Sequence, residues 1–448
     1  MRYLPHTTQD ISIMLHELGF EGIEDLFAGI PHSLMLQRDL HLPGPMSEPE
    51  LNRHLENLEK ANPAASCISF LGAGAYSHAV PAAVDAIVSR SEFSTAYTPY
   101  QPEVSQGTLQ SIFEFQTVTA GLLGMDVANA SMYDGASAAA EAVLMAKRVR
   151  RNITRIVLSA GLLPEVGRTI ETYVSALDLE IIEAPLSGEG ILDLGALSAA
   201  LDKDTALVVQ TPNFLGCIED MRSLAGLAGE KNAFFISFTA EPYSLAVLEP
   251  PGSFGVDVAT AEGQAFGNPV SFGGPYLGLF ATSKKYVRRM PGRLVGLTRD
   301  GAGKQGFVLT LATREQHIRR ARATSNICSN EGLCALASLV HLCCLGPEGL
   351  ARAARISRAN AEYLKAGIAE IPGFSIPYKA STFNEFVVET PVPANDLVQE
   401  STRHGILPGV PLNRLKNGNE NRLLICTSEL HTRQDLDNLI RVLKQRGA

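Results

Sequence analysis

One segment of the sequence concentrates groups that can donate, accept or hold a proton. Residues 97–107 read YTPYQPEVSQG, and two prolines and a glycine in so short a stretch are typical of a loop. The side chains in it that could contact a ligand are Tyr97, Tyr100, Gln101, Glu103 and Ser105. Such a mixture just before a helix suits a ligand site or a site shared with another chain. An ordered surface loop has the same composition, so that alternative stays open.

A second segment could bind an anion. Residues 134–138 read DGASA and stand between the apolar run ANASM (128–132) and an alanine-rich, helix-length stretch. At a helix start, Gly135 and Ser137 would present free backbone N–H groups and the positive end of the helix dipole to a phosphate. These residue types also cap helices that bind nothing, which is the alternative interpretation.

Two further segments have the composition of ligand contacts. Residues 268–278 read NPVSFGGPYLG, and their paired glycines allow a close backbone approach or a plain tight turn. Residues 313–328 hold four arginines within nine positions, which could bind a carboxylate or form a solvated helix face. In the same segment Thr324, Ser325 and Asn326 could cap a helix that begins near position 330.

Several classes of protein are not expected. The sequence shows no zinc-ligand spacing, P-loop, GxSxG elbow or GxGxxG fingerprint, so we predict no metal site and no nucleotide cradle. A net charge of −9 gives no basic field for nucleic acid. The most apolar run, residues 333–345, is too short to span a bilayer, and the N-terminus lacks the apolar core of a signal peptide.

Cysteine usage indicates a reducing compartment. There are seven cysteines, an odd number without CxxC spacing, so we expect free thiols in a cytoplasmic protein. Cys334, Cys343 and Cys344 fall in one apolar stretch and are expected to fill a helical core.

The elements that must position these residues follow from short apolar runs that alternate with helix-length segments. This alternation predicts an α/β fold with a mostly parallel sheet covered on both faces. We predict an N-terminal helical arm (1–62) that packs on a neighbour, a large domain (63–313) and a small α+β domain (314–448). The predicted strands are CISFL (67–71), ANASM (128–132), RIVLS (155–159), LEIIEAP (179–185), ALVVQTP (206–212), AFFISF (233–238), VDVATAEG (256–263) and YLGLFAT (276–282).

Five motifs in the same order resemble one known family, the glycine decarboxylase P-protein of the glycine cleavage system. They are FLGAGAY (70–76), YTPYQPE (97–103), YDGAS (133–137), SFGGPY (271–276) and REQHIRR (314–320). The resemblance covers nearly the whole chain and is strongest to the separate N-terminal subunit of the two-subunit form. It implies the pyridoxal phosphate (PLP)-dependent transferase fold of type I, the aspartate-aminotransferase type.

The resemblance also implies an activity and partners. In this family PLP serves as the electron sink while glycine loses CO2, and the remaining aminomethyl group passes to the lipoyl arm of the H-protein. In two-subunit members the PLP lysine lies in the second subunit, and two copies of each subunit assemble as a heterotetramer. Active sites form between subunits, which would make the 97–105 loop, with weaker support from Thr324, Ser325 and Asn326, a contact to glycine or PLP.

The distribution of lysines agrees with that implication. PLP bonds to a lysine amine beside a sheet edge, yet residues 232–283 contain no lysine. By similarity to the catalytic subunit, Gln264 occupies the lysine's place, and Ser237-Phe238-Thr239 stands where a carboxylate for the pyridine nitrogen is expected, although Glu241 is close. Lys284 and Lys285 follow the next strand and are expected to be exposed. Gly135 and Ser137 would then form a vestigial phosphate cradle.

Two alternatives remain at this point. A self-sufficient PLP enzyme acting on an amino acid would need an internal lysine that the sequence does not place. A non-catalytic scaffold or regulatory relic of the same fold would not need the polar residues of the 97–105 loop.

Overall fold

The computed structural model describes residues 5–416 and 418–445, and the chain divides between Ala65 and Ser66 into two units. The first unit contains α1 (Thr8–Glu17) and α2 (Glu48–Lys60). A capping box begins α2, since the Ser47 amide and hydroxyl donate to Glu50 at 2.8 and 2.7 Å. None of residues 5–65 is buried.

The second unit holds the remaining helices and all the described strands. Its helices are α3 (Ala82–Val88), α4 (Ser91–Ser94), α5 (Gln106–Leu123), α6 (Gly135–Val149), α7 (Pro164–Val174), α8 (Leu194–Ala200), α9 (Met221–Glu230), α10 (Gln316–Arg319), α11 (Gly332–Ala369), α12 (Ala394–Arg403) and α13 (Arg433–Lys444). Its strands are β1 (Ile68–Ser69), β2 (Val127–Ala128), β3 (Arg155–Ser159), β4 (Glu180–Ala184), β5 (Thr205–Gln210), β6 (Phe234–Thr239), β7 (Val258–Glu262), β8 (Gly278–Thr282), β9 (Leu294–Arg299), β10 (Gln305–Thr310), β11 (Glu385–Glu389), β12 (Ile406–Leu407), β13 (Val410–Pro411) and β14 (Arg422–Cys426).

A seven-stranded sheet forms the centre of the second unit, in the order β2-β8-β7-β6-β5-β3-β4. The strands from β4 to β7 pair in parallel, whereas β8 pairs antiparallel with both β7 and β2. Every residue of β5, β6, β7 and β8 is buried, as expected for strands covered on both faces. The predicted mostly parallel α/β sheet is therefore confirmed.

The predicted strand ANASM is largely wrong, because the chain leaves the sheet after Ala128. The Ala130 amide donates instead to the Arg293 carbonyl at 2.9 Å, and Ser131 has a φ of 119°. Met132 then pairs again opposite Gly278. This excursion places Ala130 against the segment that carries Arg293.

Three smaller sheets complete the unit. The antiparallel hairpin β9-β10 was not among the predicted strands. Strands β11, β14 and β13 form a three-stranded antiparallel sheet, and β1 pairs in parallel with β12. A hydrophobic cluster around the seven-stranded sheet and a second one beneath β11 and β14 form the two main cores. The boundary at residues 313/314 stays a prediction.

Helix α11 is broken at Gly346, whose φ of 60° is not helical, so two helical segments meet there. It is the one helix among the described residues that is long and apolar enough to cross a membrane, but half of its most apolar window is buried within the chain. Cys334 lies in that buried part. Cys343 and Cys344 are exposed, so their predicted place in a helical core is wrong.

Candidate functional site

Gln264 lies two residues after β7, where the resemblance places the lysine, and its side chain is fully used within the chain. Its Oε1 accepts the Tyr76 amide at 3.0 Å, and its Nε2 donates to the carbonyl oxygens of Tyr76 (3.1 Å) and Asn268 (2.7 Å). The residue is buried, with 1% exposure. Gln264 therefore ties the 70–79 segment to the end of β7.

The first N–H group of α6 is already bound by a carboxyl group of this protein, that of Glu262. Glu262, the last residue of β7, accepts the Gly135 amide through Oε2 at 2.7 Å. Its Oε1 accepts the amides of Gln264 (2.9 Å) and Leu277 (3.1 Å). Burial raises the pKa of Glu262 to about 7, against the opposing effect of these three N–H donors.

Ser137 is also committed to the local fold. Its amide donates to the Asp134 carboxylate at 2.6 Å, and its hydroxyl lies 3.1 Å from the Asp134 amide, as in a capping box. A Cβ added at Gly135 would lie 2.9 Å from both Glu262 Cβ and Phe238 Cε2. Two N–H groups that a phosphate could use at this helix start, those of Gly135 and Ser137, are therefore paired within the chain, and side chains crowd the space beside Gly135.

Residues 237–239, where a carboxylate for the pyridine nitrogen is expected, carry two hydroxyl groups and a phenyl ring instead. The Ser237 and Thr239 hydroxyls are fully buried and have no hydrogen-bond partner among the described residues. The nearby carboxylate of Glu241 is bound to the His78 ring (3.2 Å), the Tyr243 amide (2.9 Å) and the Asn384 side chain (3.2 Å). Glu241 is thus part of a buried structural network.

The prediction that Lys284 and Lys285 are exposed is confirmed. Both residues lie in the short turn after β8. The described residues at this sheet edge consequently present no lysine amine, and two N–H groups at the start of α6 are already paired.

The 97–105 loop presents most of its polar groups outward. Tyr97 is 77% exposed and Tyr100 is 50% exposed. Gln101 and Glu103 are exposed as well, whereas Ser105 is half-buried next to the start of α5. These groups are available to a molecule outside this chain.

One buried arginine holds this loop in place. The Arg293 side chain is 4% exposed, and its Nη2 donates to the Tyr100 hydroxyl at 2.9 Å. Its Nη1 donates to the hydroxyls of Thr98 (3.2 Å) and Ser329 (3.1 Å), and its Nε donates to Glu315 at 2.9 Å. Arg293 therefore connects the loop to the 314–329 segment, which lies about 200 residues later in the chain.

The 314–329 segment supplies the other wall of the same small region. Thr324 and Ser325 line a cavity of about 10 Å³ together with Arg293 and Glu315. The Ser325 hydroxyl donates to buried Glu141 at 2.8 Å, and the Asn326 carbonyl accepts the Gln316 side chain at 2.7 Å. The structure thus brings Tyr100 and this wall together, on either side of the Arg293–Glu315 ion pair.

Two expectations for this segment are wrong. Helix α11 begins at Gly332 after Glu331, which provides no side-chain cap, so Thr324, Ser325 and Asn326 do not cap it. The arginines do not form one anion site either. Arg314 is buried and donates to the backbone carbonyls of Met290, Gly292 and Leu311, whereas the other three arginines are exposed.

The glycine-rich turn before β8 is exposed. Phe272 is fully exposed, and Ser271 and Phe272 both have positive φ (42° and 56°). A backbone strained at two residues with side chains marks a conformation that the surroundings must enforce.

A family model described as glycine cleavage system P-protein matches residues 1–443. The chain belongs to this family. Curated relatives named "Probable glycine dehydrogenase (decarboxylating) subunit 1" include the proteins of Sorangium cellulosum, 49% identical over 98% of both chains, and Chlorobaculum parvum, 48% identical over 100% of both. These relatives confirm the predicted enzyme class.

Solved structures confirm the fold of this P-protein family member. A crystal structure of glycine decarboxylase (P-protein) in inhibitor-bound form matches with a TM-score of 0.89 and 42% identity, over 99% of this chain and 100% of that one. A Burkholderia pseudomallei sphingosine-1-phosphate lyase matches with a TM-score of 0.64 at 17% identity, over 93% of this chain and 96% of the other, which shows the fold alone. The fold type I prediction is therefore confirmed.

Arg293 was not among the site residues predicted for this P-protein chain. It stands alone in MPGRLVG (290–296), outside the arginine-rich segment, and its partners lie 22 to 195 residues away. Only the position of Arg293 directly before the apolar residues Leu294 and Val295 could have indicated its role, because a charged residue needs a partner if it is buried.

Proposed function

We propose that this chain is the subunit of glycine dehydrogenase (decarboxylating) that carries no PLP of its own and completes an active site whose PLP is held by a second subunit. The aminomethyl group left from glycine would pass to the lipoyl arm of the H-protein. We further propose an assembly with two copies of each subunit, located in the cytoplasm.

The state of the residues around α6 carries this proposal. A carboxamide at position 264 cannot bond covalently to the PLP aldehyde as an amine does. The carboxylate of Glu262 takes the N–H group at the helix start that would otherwise favour a phosphate. The lack of an amine at position 264 and the pairing of the Gly135 and Ser137 amides within the chain both support a coenzyme held by the second subunit.

The exposed loop supports a role in a site shared between chains. PLP bound to the partner would supply the electron sink for decarboxylation. From this chain, the phenols of Tyr97 and Tyr100 would donate hydrogen bonds or hold a proton, and Glu103 would orient the glycine ammonium group. Gln101 and Ser105 would add hydrogen bonds, and Thr324 and Asn326 would line the cleft. The Ser325 hydroxyl is bound to Glu141, which gives that residue a supporting part.

The test is reconstitution with the candidate second subunit and the lipoylated H-protein. Glycine–bicarbonate carbon exchange is measured with this chain, without it, and with Tyr97→Phe, Tyr100→Phe or Glu103→Gln. We expect no exchange without the chain, and in the variants a loss of rate that exceeds any loss of subunit association. Tyr363→Phe, which removes a hydroxyl of α11 that is bound to Asp437 in α13, is the matched control and should keep the wild-type rate.

Two results would contradict the proposal. Full exchange by the second subunit and H-protein alone would make this chain dispensable. Wild-type rates in all three loop variants would favour a scaffold whose loop does not touch the substrate.

A further inference from the structure

We propose that Arg293 is a positioning residue that fixes the Tyr100 phenol as a hydrogen-bond donor directed toward the bound substrate. This inference rests on the proposed function, since it requires Tyr100 to face a site completed by the second subunit. It concerns a residue that makes no contact with the substrate itself and acts through Tyr100.

The geometry around the guanidinium group is that of a clamp. The Arg293 side chain is 4% exposed, and the Glu315 carboxylate that it contacts at 2.9 Å is 8% exposed. Screening by solvent is weak for such a pair, and the rigid planar fork of arginine can direct several N–H bonds at once. Four contacts to Glu315, Thr98, Ser329 and Tyr100 use this fork, with distances between 2.9 and 3.2 Å.

The hydrogen bond between Arg293 and Tyr100 can run in only one direction. Arginine carries N–H donors and no acceptor, so the phenol oxygen must accept from Arg293. The phenol's own hydrogen therefore remains free to donate to another molecule. Because Tyr100 is half exposed, that donor is available outside the chain. Donation from a cation also stabilises negative charge that builds up on the phenol oxygen when its proton is shared.

Two further contacts hold the Tyr100 ring. The guanidinium carbon of Arg293 lies 5.3 Å from the ring centroid, within the range of a cation–π interaction. The His317 ring packs edge-on against Tyr100 at 5.1 Å. A side chain restrained in this way has little conformational entropy left to lose when substrate binds, which is how pre-organised groups raise catalytic efficiency.

Arg293 also joins the two walls of the candidate site. It bonds to Thr98 in the loop and to Ser329 directly after the segment that contains Thr324 and Ser325. A purely structural arginine would serve the fold equally well in this arrangement. The experiment therefore has to separate an effect through Tyr100 from a loss of stability.

The experiment is a double-mutant cycle in the reconstituted complex. Glycine–bicarbonate exchange is measured for Arg293→Met, Tyr100→Phe and the double variant, with kcat and KM for glycine determined separately. We expect Arg293→Met to lower kcat by about 100-fold with less than about threefold change in KM, the pattern for a group that acts on the chemical step. In the Tyr100→Phe background the same substitution should lower kcat by less than about threefold.

A second variant and a conservative one guard against misfolding. Arg293→Met leaves the Glu315 carboxylate buried without this partner, so Arg293→Met/Glu315→Gln removes both charges and should show the same kcat loss. Arg293→Lys keeps a charged donor and should recover part of the rate. Arg422→Met, at an arginine in β14 that donates to the Tyr378 hydroxyl at 2.8 Å, is the control for stability alone, and its kcat should stay within about threefold of the wild type after correction for folded protein.

The outcomes distinguish the two proposals. If Tyr100→Phe lowers kcat but Arg293→Met lowers it by the same factor in both backgrounds, Arg293 acts independently of Tyr100 and the positioning role is overturned. The positioning role is also overturned if Arg293→Met weakens subunit association while the complex that still forms keeps the wild-type kcat. If Tyr100→Phe keeps the wild-type kcat, the role of the loop in the proposed function fails.

Discussion

At the scale of single residues, Gln264 shows how fully a side chain can be used by the fold at a position where the resemblance predicts the absence of the PLP lysine. Its amide group makes three hydrogen bonds to backbone atoms of Tyr76 and Asn268, all of them buried. A lysine has no acceptor and could not reproduce the contact with the Tyr76 amide. The side chain is therefore specific to its present structural task.

Because these three hydrogen bonds are buried, we expect a large effect of Gln264→Leu on stability. The substitution keeps the approximate volume but leaves a buried N–H and two buried carbonyls without partners, so the free energy of unfolding should fall by about 3 kcal/mol. Urea denaturation measures it. Gln101→Leu, the same change in the exposed loop, should alter it by less than about 0.5 kcal/mol. Equal effects at the two positions would contradict the assigned role of Gln264.

Residue chemistry was partly readable from the sequence. The missing lysine was visible as an absence in residues 232–283, because the requirement for an amine is local and specific. The role of Glu262 was not readable, since its partner Gly135 lies 127 positions earlier and only the folded sheet brings them together. Arg293 was missed for the same reason.

At the scale of elements, α6 is the helix that decides what the sheet edge can bind. Its first residue, Gly135, packs against Phe238 and Glu262, from the two adjacent strands β6 and β7. The close approach requires the absence of a side chain. The helix start and the two strand ends therefore pack together without room for a side chain at position 135.

A single methyl group should disturb that packing. Gly135→Ala places a Cβ 2.9 Å from two carbon atoms, and overpacking of this kind should lower the free energy of unfolding by about 2 kcal/mol. Gly121→Ala in α5 meets no atom within 4 Å and should instead raise it by about 0.5 to 1 kcal/mol through helix propensity. Thermal or urea unfolding of the pair provides the measurement, and an unchanged or stabilised Gly135→Ala would contradict the close packing.

The elements predicted best were those with the strongest local patterns. The fully buried strands β5 to β8 lie within two residues of their predicted bounds, because continuous apolar runs determine them locally. The hairpin β9-β10 was missed, since its exposed and buried residues alternate irregularly. Strand β2 is shorter than predicted because tertiary contacts to Arg293 and Gly278 redirect the chain.

At the scale of the whole molecule, the 70–79 segment links the main sheet to the C-terminal part of the second unit. His78 lies between two carboxylates, with Nδ1 at 2.7 Å from Glu429 and Nε2 at 3.2 Å from Glu241. Both ring nitrogens can donate only when the imidazole is protonated. Burial lowers the pKa of His78, but the two carboxylates outweigh it and raise the pKa to about 9.

This network predicts a dependence of stability on pH. The folded pKa of about 9 lies above the unfolded value of 6.5, so the folded state keeps a proton that the unfolded state releases between these values. The stabilisation is complete below pH 6.5 and is lost as the pH rises to 9, by on the order of 3 kcal/mol. His78→Gln should lose that part of the pH dependence, as followed by urea denaturation between pH 6 and 9.5.

A second variant checks the origin of the effect. Glu429→Gln removes one of the two carboxylates and should reduce the same loss of stability between pH 6.5 and 9. A His78→Gln protein with the full wild-type dependence on pH would show that other groups cause it.

The family and the overall architecture could be predicted from the sequence because ordered motifs and strand patterns extend over the full chain. The role of the first unit could not, since none of residues 5–65 is buried and a neighbour for the arm stays a prediction. The division of labour between subunits likewise depends on contacts that one chain does not contain.

The most direct test of that division is to locate the coenzyme in the working complex. The reconstituted enzyme, loaded with PLP and shown to exchange bicarbonate carbon, is reduced with borohydride, digested and analysed by mass spectrometry for pyridoxyl-lysine. We predict the modification on a lysine of the second subunit at near-stoichiometric yield and none above background on the 11 lysines of this chain. Stoichiometric pyridoxyl-lysine on this chain would contradict the account.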